Sequence, residues 1–248
     1  MRELLSHSLV VLRNWRLTAL HLVGNAALLT CAALWLLVPE ARLWQLAVAA
    51  LSAVVLLFLF LWLHAGTLAY ASDPGPGKLL AAFRGGLRGM GWLLVGLAAL
   101  FTCMWVVAGW SDSLWQTSGY LYSKAPSALR PLGGNTGYRR FGEYLLTILF
   151  WYILPGLLLP VIAAKVTGAT FRQGLRTLLR WRYWLVLAFI VLVGVWLPEL
   201  LLQWKLGAGL SGETASLAAR FVTAYAIATA AWLSAAGMLS YFVASKPD

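Results

Sequence analysis

The chain has 248 residues, of which 61% are hydrophobic and only 11% are charged, and its mean hydropathy is +0.79. An ordinary soluble domain is about 45–50% apolar and about 25% charged, so this composition excludes that class. The net charge of +11 is typical of a protein whose basic residues flank membrane helices and meet anionic headgroups, and it does not indicate nucleic-acid binding.

Six apolar runs, nearly free of charge, follow one another along the chain. Runs of about 20 such residues are long enough to cross the hydrocarbon layer as helices. They occupy residues 17–38, 43–71, 91–110, 144–164, 183–204 and 221–243. The sequence therefore predicts an all-α fold, with residues 1–248 forming a single integral membrane domain of six transmembrane helices. The first run is longer than the about 7–15 residues of a secretory signal, and we expect it to remain as an anchor.

The lysines and arginines predict how the helices are oriented, because cytoplasmic loops hold these residues in excess. With the N-terminus inside, the inner segments carry twelve of them and the outer segments seven. The inner segment 165–182 contributes five of the twelve and contains no acid. We therefore expect both termini in the cytoplasm.

Short stretches of the sequence recur in a consistent order. Residues 22–31 read LVGNAALLTC and residues 94–103 read LVGLAALFTC, with eight of ten positions identical. FRGGLR at 83–88 matches FRQGLR at 171–176, and AGTLAY at 65–70 matches AGMLSY at 236–241. The matches predict three pseudo-repeats, 1–76, 77–164 and 165–248, each containing one helical hairpin.

A short basic amphipathic segment, here called an elbow, precedes each hairpin. The elbows occupy residues 4–16, 78–90 and 170–182, and the first has the weakest pattern. In the other two, apolar residues recur at helical spacing on one face and basic residues take the other. Such a helix lies in the membrane interface with its guanidinium groups among lipid phosphates. We expect five arginines to contact anionic headgroups: Arg84, Arg88, Arg172, Arg176 and Arg180.

This organisation, with an amphipathic segment before each helix pair, resembles that of uncharacterised bacterial six-helix membrane proteins. Those proteins are related to the membrane domain of glycerophosphoryl diester phosphodiesterases. The resemblance covers the chain as architecture and carries no catalytic residue across, and this sequence contains no counterpart of the soluble phosphodiesterase barrel. It implies a location in a bacterial inner (plasma) membrane.

Three polar residues interrupt the apolar surface of the first hairpin: His21, Asn25 and His64. The matching repeat positions hold Leu93, Leu97 and Ala235. His21 and Asn25 are four residues apart and share a helix face. His64, on the returning helix of the hairpin, is expected at a similar depth in the membrane. Polar groups inside a membrane usually face the protein interior or a watery cavity. Two interpretations remain open: an interhelical hydrogen bond that fixes packing, or a small polar site for a substrate headgroup, a quinone or a haem held by an axial pair.

The other polar residues show no catalytic or metal-binding spacing. Three carboxylates stand at the outer ends of the odd-numbered helices: Glu40, Asp112 and Glu199. We expect them to pair with neighbouring arginines or to cap a turn. For Glu199 the alternative stays open that it lies deeper, where a carboxylate suggests proton coupling. The two cysteines, Cys31 and Cys103, lie in separate apolar runs.

Two further features concern the middle of the chain. Pro155 and Pro160 predict a kinked fourth helix, because proline removes a backbone donor. The longest polar stretch, residues 111–143, is expected to be an outer loop that serves either as a contact surface or as a flexible cover.

Together these features favour a multi-pass inner-membrane protein without catalytic machinery or a cofactor. We expect it to interact with membrane lipids and to serve as an accessory or scaffold subunit beside a membrane-protein partner. The alternative is a small permease whose polar site, near the cytoplasmic side, contains the first-hairpin cluster. Six spans argue against a soluble nucleic-acid binder.

Overall fold

The computed structural model describes residues 2–39, 42–127, 134–204 and 210–245. Of these residues 90% are helical and none lies in a strand, so the predicted all-α fold is confirmed. The helices in chain order are α1 (Arg2–Arg13), α2 (Trp15–Trp35), α3 (Leu43–Ser72), α4 (Leu79–Gly86), α5 (Met90–Lys124), α6 (Gly134–Ile148), α7 (Leu154–Val166), α8 (Phe171–Leu178), α9 (Trp181–Val191), α10 (Leu197–Gln203) and α11 (Leu210–Ala244). A 3-10 turn, Leu87–Gly89, joins α4 to α5.

Within the described residues, six helical segments are long and apolar enough to cross a membrane. They are Trp15–Trp35, Leu43–Ser72, Leu79–Trp110, Thr136–Val166, Trp181–Gln203 and Glu213–Ala244. Each coincides with one of the six predicted runs, so the six apolar helices are confirmed and the chain is consistent with a multi-pass membrane protein.

The polar stretch 111–143 is largely helical, so its prediction as an outer loop is wrong. Helix α5 continues to Lys124 and α6 begins at Gly134. Once a helix is nucleated, each further residue that is fixed adds one hydrogen bond, and no proline follows Gly91 until Pro126. Residues 128–133 of this stretch lie outside the described part of the chain.

Two wide π turns interrupt the fourth and fifth spans. Leu149–Ile153 joins α6 to α7, and Leu192–Trp196 joins α9 to α10. In each turn the closing backbone N–H bonds to the carbonyl five residues back rather than four. A proline stands two residues after the end of each turn, at positions 155 and 198, and it offers no N–H for the usual bond. The effect of Pro155 is therefore a locally widened helix, whereas Pro160 lies inside α7.

The chain divides into two compact units, Met1–Leu94 with Pro160–Asp248, and Val95–Leu159. In the first unit α11 is the central helix. In its apolar window 61% of the residues are buried, against 11–17% in the other spans. It packs against elements α1, α2, α3, α8, α9 and α10. In the second unit α5 meets α6 where Gly142 leaves room for Leu114, and the rings of Tyr122 and Tyr138 lie 5.9 Å apart.

The three elbows form short helices, α1, α4 and α8, and each crosses a long helix at a point of close backbone approach. At the α4 crossing, a Cβ placed on Gly86 would lie 2.8 Å from the Cα and backbone N of Gly66. Phe83 on the preceding turn is buried over the same glycine, and its ring meets the Trp62 ring edge-on at 5.3 Å. Only glycine at both positions permits this approach.

The other two elbows make crossings of the same kind. A Cβ on Gly174 of α8 would lie 2.7 Å from the Cα of Val161 in α7. A Cβ on Gly237 of α11 would lie 2.9 Å from the Cα of Ser8 in α1. A small residue therefore lies at each crossing, as helix association within lipid generally requires.

Candidate functional site

A buried hydrogen-bonded cluster joins the first hairpin at the level of His21. The His21 side chain is fully buried, with Nε2 2.6 Å from Thr67 Oγ1 and Nδ1 3.2 Å from Asn25 Nδ2. Thr67 donates its own proton to the Leu63 carbonyl at 2.7 Å, so its oxygen accepts from His21 Nε2–H. His21 Nδ1 then accepts from the Asn25 amide. The contacts together assign a neutral Nε2–H imidazole.

His64 lies beside this cluster and faces a different direction. Its ring meets the His21 ring edge-on at 5.6 Å and lies 5.1 Å from the Trp232 ring of α11. Nδ1 is 2.8 Å from the Phe60 carbonyl and must donate to it. In the neutral imidazole Nε2 is therefore an acceptor, and no described residue hydrogen-bonds to it.

A cavity of about 500 Å³ opens between α2, α3 and α11, within the first compact unit. This volume falls in the range of about 300–1,000 Å³ found for small-molecule sites. Its polar end holds Asn25, His64 and Trp232, and its body is mainly aliphatic, with Leu28 and Leu57 among the lining side chains. None of the described lining residues is Lys, Arg, Asp or Glu.

Trp232 and Tyr225 also line the cavity. The Trp232 Nε1–H is buried too deeply for water to reach it, and no described residue accepts from it. The Tyr225 hydroxyl donates to the Leu22 carbonyl at 2.6 Å. The unpaired acceptor among the described lining side chains is thus His64 Nε2.

Sequence reasoning selected the three polar residues that the structure brings together, but it missed their partners. Thr67 differs from its repeat counterpart Met238, and that difference was a usable signal. Trp232 and Tyr225 gave none, because aromatic residues are common throughout these spans.

The cluster is poorly suited to binding a metal or haem through His21. Both of its ring nitrogens are committed to hydrogen bonds with Thr67 and Asn25. Among the residues that the structure describes, no group of three His, Cys, Asp or Glu side chains is close enough to hold a metal ion. What the arrangement can do chemically is accept a hydrogen bond at His64 Nε2.

The elbow arginines form the second candidate site. Arg84, Arg88, Arg172 and Arg176 are exposed. Arg180 differs, because its guanidinium donates to the Phe242 carbonyl at 3.1 Å and to the Ser245 carbonyl at 2.8 Å. It thereby ties the end of α8 to the end of α11, which is a structural role.

Exposed apolar side chains accompany these arginines. In α8 the predicted stripe faces away from the protein, with Phe171 and Leu175 exposed, while Gly174 and Thr177 face inward. In α4 Leu80 is exposed and Phe83 is buried. Both helices therefore present apolar and basic groups outward together, as an interfacial helix does.

Among the described side chains, the rim carboxylate Glu199 forms no site. Glu199 is exposed and accepts from Gln203 on its own helix at 3.0 Å. Glu40 and the side chain of Asp112 lie outside the described residues. The two cysteines are free thiols, Cys31 exposed and Cys103 half-buried.

Comparisons with protein-family models, with curated proteins and with solved structures find no match to this chain.

Proposed function

We propose that this protein is a lipid-interacting accessory or scaffold subunit of a bacterial inner-membrane complex, without catalytic machinery of its own. The observation that carries the proposal is the outward pairing of apolar and basic side chains on α4 and α8. An elbow of this kind buries its apolar groups among acyl chains and keeps its arginines at the phosphates. Each basic group near an anionic surface contributes about 1 kcal/mol.

The experiment for lipid contact removes charge from one elbow. The Arg172→Gln/Arg176→Gln double variant should retain less anionic phospholipid in native mass spectrometry than the parent protein. The charge-matched control is Arg139→Gln/Arg140→Gln on α6, where both arginines are exposed. Equal retention by the parent and the α8 variant would contradict elbow-mediated lipid binding. Equal losses in the α8 and α6 variants would show that lipid retention depends only on the net charge of the protein.

The proposed orientation places both termini in the cytoplasm and so puts the elbows at the inner leaflet. Reporter fusions after Ser72, Val166 and Ser245 should read as cytoplasmic, and fusions near Ala41, Ser127 and Gly209 as external. An external reading at Val166 would contradict the orientation, because the segment after it carries the strongest positive charge.

We also propose that the three elbow-plus-hairpin units are pseudo-repeats. Gly86 and Gly174 occupy matching positions in the repeated FRxGLR sequence, and Gly66 and Gly237 match in AGxLxY. All four lie at elbow crossings. Shared positions with the same packing role support a common unit.

The scaffold role requires a membrane-protein partner. The second compact unit exposes aromatic side chains such as Trp105 and Trp110, which are residue types enriched in protein contacts. Purification in mild detergent should yield a stoichiometric partner. Recovery of the lone chain under conditions that preserve other membrane complexes would oppose this role.

A permease is the second candidate, favoured by the cavity between α2, α3 and α11. Transport into liposomes that contain the purified chain alone would support it over the scaffold role. His64→Leu should then abolish uptake while the protein stays monodisperse.

A further inference from the structure

Two basic residues from different helices meet at the 3-10 turn that joins α4 to α5. At this place, here called the α4–α7 junction, a Cβ placed on Gly89 would lie 3.0 Å from the Cα of Val166. Arg88 and Lys165 each precede one of these two contact residues. Their Cα atoms are therefore at most about 12 Å apart, since consecutive Cα atoms are separated by ~3.8 Å. Both residues belong to the first compact unit, and their long side chains can hold one group that lies between them.

The Trp92 ring lies against Lys165 and close to Arg88. Lys165 Nζ is 5.2 Å from the centre of the ring. Arg88 lies one helical turn before Trp92, and side chains four residues apart on a helix are neighbours, with Cβ atoms about 5–6 Å apart. The other described stacks of this kind, such as Arg16 over Trp15, join neighbours on a single helix. The Lys165–Trp92 stack instead joins two helices, and it gathers both cations around one ring at the start of α5.

The two cations lack an anionic partner within the described part of the chain. No described carboxylate forms an ion pair with Arg88 or Lys165. The sequence explains this, because residues 74–111 and 144–198 contain no Asp or Glu. Arg88 is exposed and Lys165 is half-buried. The junction therefore offers two positive charges and several N–H donors to a phosphate from outside the chain.

An apolar surface begins directly beside these cations. Trp92 lies near the start of the apolar run 91–110 and is 47% exposed, and Leu87 before it and Leu94 after it are exposed as well. A tryptophan at the start of a span is typical of the membrane interface. An anion that carries acyl chains therefore fits this surface better than a free phosphate, because its chains cover the exposed leucines while its phosphate meets the cations.

We propose that the α4–α7 junction binds one anionic phospholipid without a headgroup amine, such as phosphatidylglycerol, whose phosphate pairs with Arg88 and Lys165. A headgroup amine would bring a third positive charge to a place with no acid to compensate it, which is unfavourable. The acyl chains lie against Leu87 and Leu94. The proposal rests on the proposed lipid contact at the elbows and assigns part of it to a single, selective site.

The test titrates phosphatidylglycerol onto the full chain in detergent and measures the affinity of the first bound lipid by native mass spectrometry. Arg88→Gln and Lys165→Gln should each weaken it about fivefold, the effect of one basic group near an anionic surface. Lys165→Arg keeps the charge and the stack on Trp92, and it should retain the parent affinity. Lys78→Gln is the matched control, because that ammonium already pairs with Asp73 at 2.7 Å, and it should leave the affinity unchanged.

A photoreactive phosphatidylglycerol with a diazirine in its headgroup locates the site independently. In nanodiscs it should label peptides that contain the 3-10 turn and the start of α5, together with peptides from the end of α7. The Arg88→Gln/Lys165→Gln double variant should lower this labelling about tenfold or more. Unlabelled phosphatidylglycerol should compete for the site, and inorganic phosphate should not.

Three results would overturn the proposal. The first is a loss of affinity in Lys165→Gln no larger than in Lys78→Gln. The second is equal affinity of the first site for phosphatidylglycerol and phosphatidylethanolamine. The third is displacement of the lipid by inorganic phosphate, which would make the junction a site for a soluble anion. Failure of the elbow proposal is a separate observation: equal total lipid retention by the parent and Arg172→Gln/Arg176→Gln, whatever the affinity of the first lipid.

Discussion

Two positions on α3, only two residues apart, have opposite surroundings. At Gly66 the backbone of α4 approaches so closely that neither helix tolerates a methyl group. At His64 the same helix borders a cavity of about 500 Å³. Small residues bring helices together in lipid, whereas larger side chains such as Leu57, Phe60 and Trp232 line the space between α2, α3 and α11. The crossings thus form a rigid frame, and the candidate site lies directly beyond it.

The largest expected effect comes from placing a methyl group in the frame. Gly86→Ala should lower the free energy of unfolding by about 1–3 kcal/mol, because the new Cβ meets backbone atoms that cannot move aside. The measurement is the melting temperature of the purified protein in one detergent.

Gly85 is the matched control, since a Cβ there meets nothing within 4 Å. Gly85→Ala should be neutral or stabilising by about 0.5–1 kcal/mol, because alanine loses less backbone entropy in a helix. Gly174→Ala and Gly237→Ala should behave like Gly86→Ala. Equal melting temperatures for the Gly85 and Gly86 variants would remove the basis for a tight frame.

The next largest effect is expected within the buried cluster. Thr67→Val keeps the shape of the side chain but removes the oxygen that accepts from His21, leaving a buried N–H unpaired. The unfolding free energy should fall by about 1–2 kcal/mol. Thr30→Val on α2 is the control, because that exposed hydroxyl only bonds back to its own helix. Similar small changes in both variants would mean that the cluster contributes nothing to packing.

A smaller effect separates the two kinds of elbow arginine. Arg180→Gln should lower stability by about 1 kcal/mol through lost bonds to the end of α11, with lipid retention unchanged. Arg176→Gln should lower lipid retention and leave stability unchanged, because its side chain is exposed. Paired melting and native mass spectrometry data on the two variants check this. The opposite assignment of effects would show that Arg180 is the lipid contact.

The smallest expected effect concerns the unpaired tryptophan. Trp232→Phe removes an N–H that bonds to no described residue, so stability in detergent should change by less than about 0.5 kcal/mol. Trp62→Phe is the comparison, because its Nε1 donates to the Phe83 carbonyl at 3.2 Å, and it should lose about 1 kcal/mol. A large loss for Trp232→Phe would reveal a hydrogen bond that this side chain makes in the folded protein.

Much of the fold was predictable because hydrophobic length alone identifies a membrane helix. The six apolar helices and the short elbow helices follow from that signal and from helical periodicity. The helical extension beyond Trp110 was not predictable in this way, since its polar residues gave no apolar run. The π turns were not predictable either, because a proline in the sequence indicates a missing backbone donor but not the bonds to the carbonyl five residues back that define these turns.

The candidate site was predictable only in part. His21, Asn25 and His64 were visible as departures from their repeat counterparts. The cavity was not, because its third wall comes from α11, about 200 residues away in sequence from α2. No local pattern marks Trp232 as the side chain opposite His64, since that contact depends on how the helices pack.

The most direct measurement is an experimental density map of the protein in lipid nanodiscs. The account predicts that α4 meets α3 in backbone contact at Gly66, and that a cavity stays open between α2, α3 and α11 beside His64. A map in which these three helices close the cavity, or in which α4 stands away from Gly66, would contradict it.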